Sequence, residues 1–398
     1  MTALTEKTDI LICGAGIVGL TLARELVQRG VQDILIIEKE SHTGFHASGR
    51  NSGVLHAGIY YKPGTVRAQT CIDGNRMMRA YCLEKDIPLD VAGKVIVART
   101  HDEIPALEEL YKRATANGAD VSLISEEELK KIEPFAKTCT KALYSRETSV
   151  TDPKKVLQAL QQELLESGKV RILFDTAFTH KENDFVVGTT NGTIKFAQFI
   201  NCAGAHSDTI AHAFGAGKDY ILIPFKGIYK KLRKSSALKV NGSIYPVPDI
   251  RNPFLGVHFT KSVYGDIYAG PTAIPAFGRE NYRFFDDLST ESIKILAKDV
   301  ELFFTNSKFR SVAFSEPRKY IPSKFFKDAK ELVTELHWRN LEETPKIGIR
   351  PQLIDLRTNE LVMDFVTEKN NNHLHVLNAI SPAFTSSMSF AKVLADIL

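Results

Sequence analysis

Apolar residues along this chain follow two spacings, and the switches between them mark its elements. Residues 8–13 (TDILIC) form a short apolar run of strand length. Residues 17–29 then place apolar side chains at helical spacing and stop at Gly30, and residues 33–37 form a second apolar run that ends on Glu38. Helical patterns return over 66–85, 102–117 and 126–131. Another runs from Thr151-Asp152-Pro153, a capping residue with a proline in the first turn, to near Gly168. Residues 170–174, 185–189, 193–196 and 199–202 read as strands, with an Asn191-Gly192 turn between the second and third. Strand-like runs dominate from Tyr220 to about Phe314 and predict an antiparallel sheet, with charged, helical sequence over 286–341 packed behind it. Stretches 346–364 and 374–398 are expected to rejoin the first strand–helix–strand region. No repeat or low-complexity linker separates these regions, so a mixed α/β and α+β chain of two interleaved domains is predicted.

Between the first strand and the first helix lies Gly14-Ala15-Gly16-Ile17-Val18-Gly19, and Glu38 stands 19 positions after the third glycine. Strand, glycine turn, helix, strand and acid in that order are the context a dinucleotide site requires. Gly14 makes the tight turn, Gly16 lets backbone approach a pyrophosphate, and Gly19 lets helix and strand pack closely. The helix N-terminus offers free N–H groups to the phosphates, and Glu38 would accept hydrogen bonds from ribose hydroxyls. The motif by itself does not separate NAD from FAD.

An NAD-type fold would usually continue into another helix and strand. Residues 39–61 are instead small, polar and punctuated by glycine, suited to an extended path beneath a flat ligand. Ser48, Ser52 and the N–H groups of Gly49 and Gly53 would bond phosphate or flavin edges. The segment resembles the one that follows the acidic residue in the D-amino-acid-oxidase-like flavoproteins. Within that superfamily, RNSGVLHAGIYYKPGTVRAQTC (50–71) resembles the L-2-hydroxyglutarate dehydrogenase/oxidase family. So do NGSIYPVPDIRNPFLGVHFT (241–260), GPTAIPAFGRENY (270–282), KIGIRPQLID (346–355) and LHVLNAISPAFTSSMSFA (374–391). The chain departs from that family at Arg50, where members often carry His, and at Lys226, where they often carry Arg.

The resemblance implies a Rossmann-type FAD-binding domain from 1–75, 140–220 and 343–398, interleaved with an antiparallel-sheet substrate domain from 76–139 and 221–342. FAD contacts are expected from Gly14, Gly16, Gly19, Glu38 and Lys39, and from His46, Ser48, Gly49, Arg50, Asn51, Ser52 and Gly53. Ala203 and Gly204 would make a second edge contact. Thr385, Ser386 and Ser387 would open a final helix aimed at the flavin pyrimidine, where its dipole stabilises reduced flavin. His46 is a position for covalent attachment in some relatives; noncovalent FAD is expected here. The implied reaction takes L-2-hydroxyglutarate to 2-oxoglutarate by hydride transfer to flavin N5, with a respiratory quinone or oxygen as acceptor.

Such chemistry needs a base of near-neutral pKa and cations for a dicarboxylate, and His56 is the expected base. Arg350 and Arg279 are candidate bidentate grips, with a structural ion pair the alternative for either; Lys226 offers a point charge without the fork. Tyr61, Tyr245 and His258 would add donors, with core packing the alternative for each. An amine or amino-acid oxidase, and a noncatalytic flavin electron carrier, are the rival functions.

Composition narrows the setting. The 51 basic and 47 acidic residues, for a net +4, are too even for a surface that coats nucleic acid, though the surplus suits an acidic small molecule. The 23 Phe and 12 Tyr exclude disorder as the main theme. Five cysteines without metal-ligand spacing fit buried hydrophobes in a reducing compartment, and no metal site is expected. No apolar window reaches membrane-spanning length, so a cytoplasmic protein is expected, with peripheral contact at the inner face of the respiratory membrane open.

Overall fold

The computed structural model describes residues 4–248, 255–283 and 290–398. Residues 249–254 of the 241–260 signature and 286–289 of the expected helical stretch lie outside them. The chain divides into two compact units, the first Met1–Asn51, Pro153–Pro224 and Arg350–Leu398, the second Ser52–Asp152 and Phe225–Ile349.

In the first unit β1 (Leu4–Cys13) leads through the glycine turn into α1 (Ile17–Gln28) and back along β2 (Ile34–Ile37). β1 pairs in parallel with β2 and with Gly192–Asn201; β2 pairs in parallel with Val170–Leu173, and Gly192–Asn201 with His373–Asn378. In sequence order the parallel strands are therefore arranged 3-2-1-4-5, with β1 in the middle, which is the doubly wound order that puts ligands at the carboxyl ends of the strands. All four residues of β2 are buried, as strands covered on both faces must be. α1 packs against the last helix, Ala383–Ile397, and against Pro153–Glu166.

Two expectations are corrected here. β1 begins at Leu4 rather than residue 8, because Leu4–Thr8 find partners along Gly192–Phe196. The strands expected at 193–196 and 199–202 are one strand, held in a single register by β1 along its whole length, while Val186–Thr189 pairs with only its first residues.

The second unit is built on a sheet whose neighbours run Ile267–Gly270, His258–Lys261, Ser243–Pro246, Lys94–Val97, Lys141–Ser145 and Val121–Ser125. Side chains alternate across it. Val95, Val97, Ile244 and Phe259 enter one core, with Phe325, Leu332 and Leu336 behind them. Ile96 and Tyr245 face a second core formed with Leu107, Leu110 and Ala114 of the helix Ile104–Ala116. Lys94 and His258 lie on that same face.

A small sheet of Val54–Leu55, Ser149–Thr151 and Leu89–Asp90 belongs to this unit as well. Its pairings explain why Ser52–Asn75 and Thr140–Asp152, expected in the first domain, group with the second unit. Among the described residues the strand run expected to reach Phe314 ends at Pro275. Thr290–Thr305, Ser307–Ser315 and Pro322–Lys330 are helices, their apolar residues spaced by three and four rather than two.

Candidate functional site

Each unit gathers its own set of candidate residues. In the first, Gly14 adopts φ +112°, and a Cβ there would lie 2.6 Å from the Cys202 carbonyl oxygen. A Cβ on Gly19 would fall 2.1 Å from the Gly14 oxygen, so α1 reaches the turn only because position 19 is bare. Gly16 is the N-cap of α1 without a side-chain cap. The backbone N–H of Ala15 donates to Glu38 Oε2 at 2.9 Å and that of Ile17 to Ser48 Oγ at 2.9 Å. Cys202 N–H donates to Cys13 O at 2.9 Å, which brings Ala203 and Gly204 beside the glycine turn. Gly204 takes φ +57°, with open space where a Cβ would stand.

The loop after β2 closes on itself, since a Cβ on Gly49 would lie 2.0 Å from the Gly44 oxygen. Its larger side chains bond within the protein. Lys39 and Glu40 both meet His46 Nε2, at 2.9 and 2.8 Å, and Lys39 also pairs with Glu40. Burial raises the Glu40 carboxyl, but bonds from Lys39 and His46 outweigh it and hold the pKa below its ordinary value. Arg50 Nε donates to Phe45 O at 2.6 Å, and Asn51 Nδ2 to Ser48 O at 2.7 Å. Ser52 and Gly53 fall in the second unit, where Gly53 O accepts from Thr151 N–H at 2.9 Å.

Thr385, Ser386 and Ser387 are buried in the first turn of Ala383–Ile397. Thr21 Oγ1 of α1 donates to Ser387 O at 3.2 Å, which ties the two helices together. Ser386 Oγ is buried with no hydrogen-bond partner among the described residues. A buried hydroxyl left without a partner costs roughly 1–3 kcal/mol, which a ligand acceptor or donor at that point removes. Arg350 belongs to this unit also, half-buried on the strand Leu341–Asp355.

The second unit holds His56, Tyr61, Tyr245 and His258, all buried. His56 follows the strand Val54–Leu55, and its carbonyl accepts from Asn75 Nδ2 at 3.1 Å and Cys71 Sγ at 3.4 Å. The Arg67 guanidinium lies 4.6 Å from the Tyr61 ring centroid. Tyr245 and His258 stack with centroids 3.7 Å apart and planes at 19°, and His258 Nδ1 bonds Gly256 O at 2.9 Å. Burial, with Lys94 nearby, takes the His258 pKa down to about 3, so this ring is neutral at physiological pH and a weak base. Arg279 pairs with Glu291 at 2.7 Å, the structural alternative, and Lys226 Nζ donates to Arg283 O at 3.2 Å.

Lys94 was not among the sequence candidates. It is 1% exposed, with Nζ 4.6 Å from the Tyr60 ring centroid and 4.9 Å from that of Tyr245. Among the described residues no hydrogen-bond partner reaches it, and burial lowers its pKa to about 7. The Tyr60 hydroxyl beside it is buried and unpartnered in the same sense. Alternation along KVIV marks the position as facing opposite to Val95, but nothing local says that a lysine there is enclosed.

Residues 9–397 match the family model for FAD dependent oxidoreductase. The chain is 35% identical to the mitochondrial L-2-hydroxyglutarate dehydrogenase of Homo sapiens, over 99% of this chain and 89% of that protein. It is 35% identical to the L-2-hydroxyglutarate dehydrogenase of Indibacter alkaliphilus over 98% of both. Among solved structures it resembles the FAD-bound L-alpha-glycerophosphate oxidase of Mycoplasma pneumoniae, with TM-score 0.76 and 24% identity over 99% of this chain and 95% of that one. Glycine oxidase from Geobacillus kaustophilus follows with TM-score 0.72 and 18% identity over 98% and 94%. At those identities the two structures speak to the fold.

Proposed function

Because the chain belongs to the FAD-dependent oxidoreductase family, and within it to the L-2-hydroxyglutarate dehydrogenases, we propose that it oxidises L-2-hydroxyglutarate to 2-oxoglutarate with FAD as cofactor. The first unit fits that cofactor. Gly14, Gly16 and Gly19 leave a bare turn at the N-terminus of α1, where a pyrophosphate is stabilised by the helix dipole and free N–H groups. Glu38 keeps acceptor capacity for ribose hydroxyls after bonding Ala15, since a carboxylate offers about four lone-pair sites. Backbone at Ser48, Gly49, Ala203 and Gly204 would line the cofactor, and Ser386 Oγ would bond it. Lys39, His46, Arg50 and Asn51 act through the loop they close. Bound FAD supplies the acceptor for the hydride that leaves the substrate's C2.

The remaining work belongs to side chains. His56 accepts the hydroxyl proton at its imidazole, with the ring placed by the bonds that Asn75 and Cys71 make to its carbonyl. Arg350 grips one carboxylate with its planar fork. Tyr61, Tyr245 and neutral His258 orient the substrate without competing for the proton. Electrons then pass to a respiratory quinone, with oxygen slower, and the protein works peripherally at the inner face of the membrane.

This reading is carried by one coincidence: a glycine cradle with its acid, in a chain alike from end to end to L-2-hydroxyglutarate dehydrogenases. Anaerobic mixing of the holoenzyme with L-2-hydroxyglutarate, lactate and sarcosine tests it. L-2-Hydroxyglutarate should bleach the flavin fastest. Lactate leaves one cation without its carboxylate, a loss on the scale of roughly 3–5 kcal/mol for a broken buried pair. Equal bleaching by lactate overturns the dicarboxylate reading, and faster bleaching by sarcosine moves the protein to amine oxidation.

A further inference from the structure

Lys94 stands in a row of side chains that crosses the large sheet of the second unit. Its cross-strand neighbours are Ser243, in parallel register, and Ser145, in antiparallel register. Two residues along, Ile96 and Tyr245 pair on the same face, and the His258 ring stacks on Tyr245. The neighbouring hydroxyl of Ser145 is bonded elsewhere, to Thr148 Oγ1 at 3.0 Å. Lys94 Nζ and the Tyr60 hydroxyl are both buried and, among the described residues, both lack a hydrogen-bond partner. Each such donor carries a desolvation cost that one acceptor placed against the two of them would remove.

The surroundings specify the charge of that acceptor. Burial pushes the Tyr60 and Tyr245 phenols up, takes the Cys71 thiol up to about 12 and leaves His258 neutral, so none of these groups is an anion at neutral pH. Other cations of the unit are engaged: Arg279 pairs with Glu291, and Lys226 Nζ donates to Arg283 O. An ammonium brings three N–H donors and a phenol one O–H, which suits a group of negative charge that only accepts, a carboxylate. A substrate ammonium would bring donors and a like charge instead. The wall is tied to the expected base as well. Cys71, whose thiol faces the Lys94 amine, donates to His56 O at 3.4 Å, and Tyr60 follows His56 by four residues.

We propose that Lys94, with the Tyr60 hydroxyl, holds the C5 carboxylate of the substrate and thereby sets the preference for a dicarboxylate. The proposal rests on the L-2-hydroxyglutarate reading above. A lysine is a point charge on a flexible stem and suits the end remote from the reacting carbon; orienting C2 asks for a planar fork on the C1 carboxylate. Glutarate has both carboxylates and no hydroxyl to oxidise, so its binding to the oxidised holoenzyme is read from the flavin spectrum without turnover. Lys94→Met should weaken glutarate about 30-fold, the scale of a lost charge-assisted hydrogen bond, and Tyr60→Phe about fivefold. In anaerobic stopped flow, Lys94→Met should lower the second-order rate of flavin reduction by L-2-hydroxyglutarate about 30-fold, and by L-2-hydroxypentanoate less than about threefold. The limiting rate with L-2-hydroxyglutarate should stay within about threefold, because binding and not the chemical step is lost. Parental glutarate affinity in both variants overturns the proposal, as does a parent that does not bind glutarate or an equal loss with the two hydroxy acids. Tyr60→Phe keeps the test in force should Lys94→Met lose its flavin. A parent that binds glutarate through Lys94 and is not reduced by L-2-hydroxyglutarate leaves the carboxylate site standing and removes the substrate reading alone.

Discussion

Replacing Lys94 by Met should make this protein more stable at neutral pH. The amine is enclosed against the Tyr60 and Tyr245 rings, and burial lowers its pKa from 10.5 to about 7. In the unfolded chain the same amine keeps its proton to the higher value. Between pH 7 and 10.5 the unfolded state thus binds more protons than the folded one, so folding stability rises with pH across that window. The penalty is complete below pH 7 and gone above 10.5; the gap between the two pKa values corresponds to roughly 5 kcal/mol. Two aromatic faces offset part of it while the amine is charged, by about 2 kcal/mol or less for each cation–π contact.

Methionine fills a similar volume, keeps the straight stem and removes the proton from the balance. Thermal unfolding of the two holoproteins between pH 7 and 9.5 reads the difference. The parent's midpoint should climb by roughly 2–3 °C per pH unit more than the variant's, at about 2 °C per kcal/mol for a chain of this size. A variant less stable than the parent at pH 7, with the same pH slope, would mean that the amine is matched by an anion, and the argument from burial would fail. A dianion docking on the sheet face of Tyr245 and His258, as proposed above, would raise the amine's pKa. Substrate binding at pH 8 should therefore take up a proton from a weakly buffered indicator solution, and the methionine variant should take up none.

Gly19→Ala should abolish flavin incorporation, because its Cβ would sit 2.1 Å from the Gly14 oxygen; a yellow variant with parental flavin content would contradict that reading. His56→Ala should keep its flavin but slow flavin reduction in stopped flow by about 10²–10⁴, the scale of lost general-base assistance. A near-parental rate would clear His56 of the role, and His258, neutral with a pKa of about 3, is too weak a base to inherit it at physiological pH. The flavin should come free on denaturation in acid or urea, since His46 Nε2 is already engaged by Lys39 and Glu40; flavin that stays with the polypeptide on a denaturing gel would point to attachment there.

What could be read in advance depended on how local the cause was. The glycine turn, α1 and Glu38 were legible because strand period, helix period and bare positions occur within thirty residues, and each constrains the next. The strand pattern from Tyr220 onward was legible as far as alternation persisted, and failed beyond Pro275, where spacings of three and four take over. The break expected within 192–201 failed for another reason: Ala197 and Gln198 interrupt the apolar pattern locally, but pairing with β1 holds the segment extended, and β1 lies nearly two hundred residues away. Lys94 shows the same limit at the site. KVIV reads as a strand with one polar end. Its enclosure comes from Ser243–Pro246, which pairs with it in parallel from about 150 residues downstream, and from Tyr60, within the signature segment 50–71. Ser386 is the counterpart in the first unit, a hydroxyl that reads as simple capping until the helix is seated on α1 and the oxygen is left buried. Patterning within a segment thus places the elements that touch backbone and phosphate. Polar groups that wait for a ligand become visible only when distant segments close over them, because their unmet hydrogen bonds are a property of the assembled face.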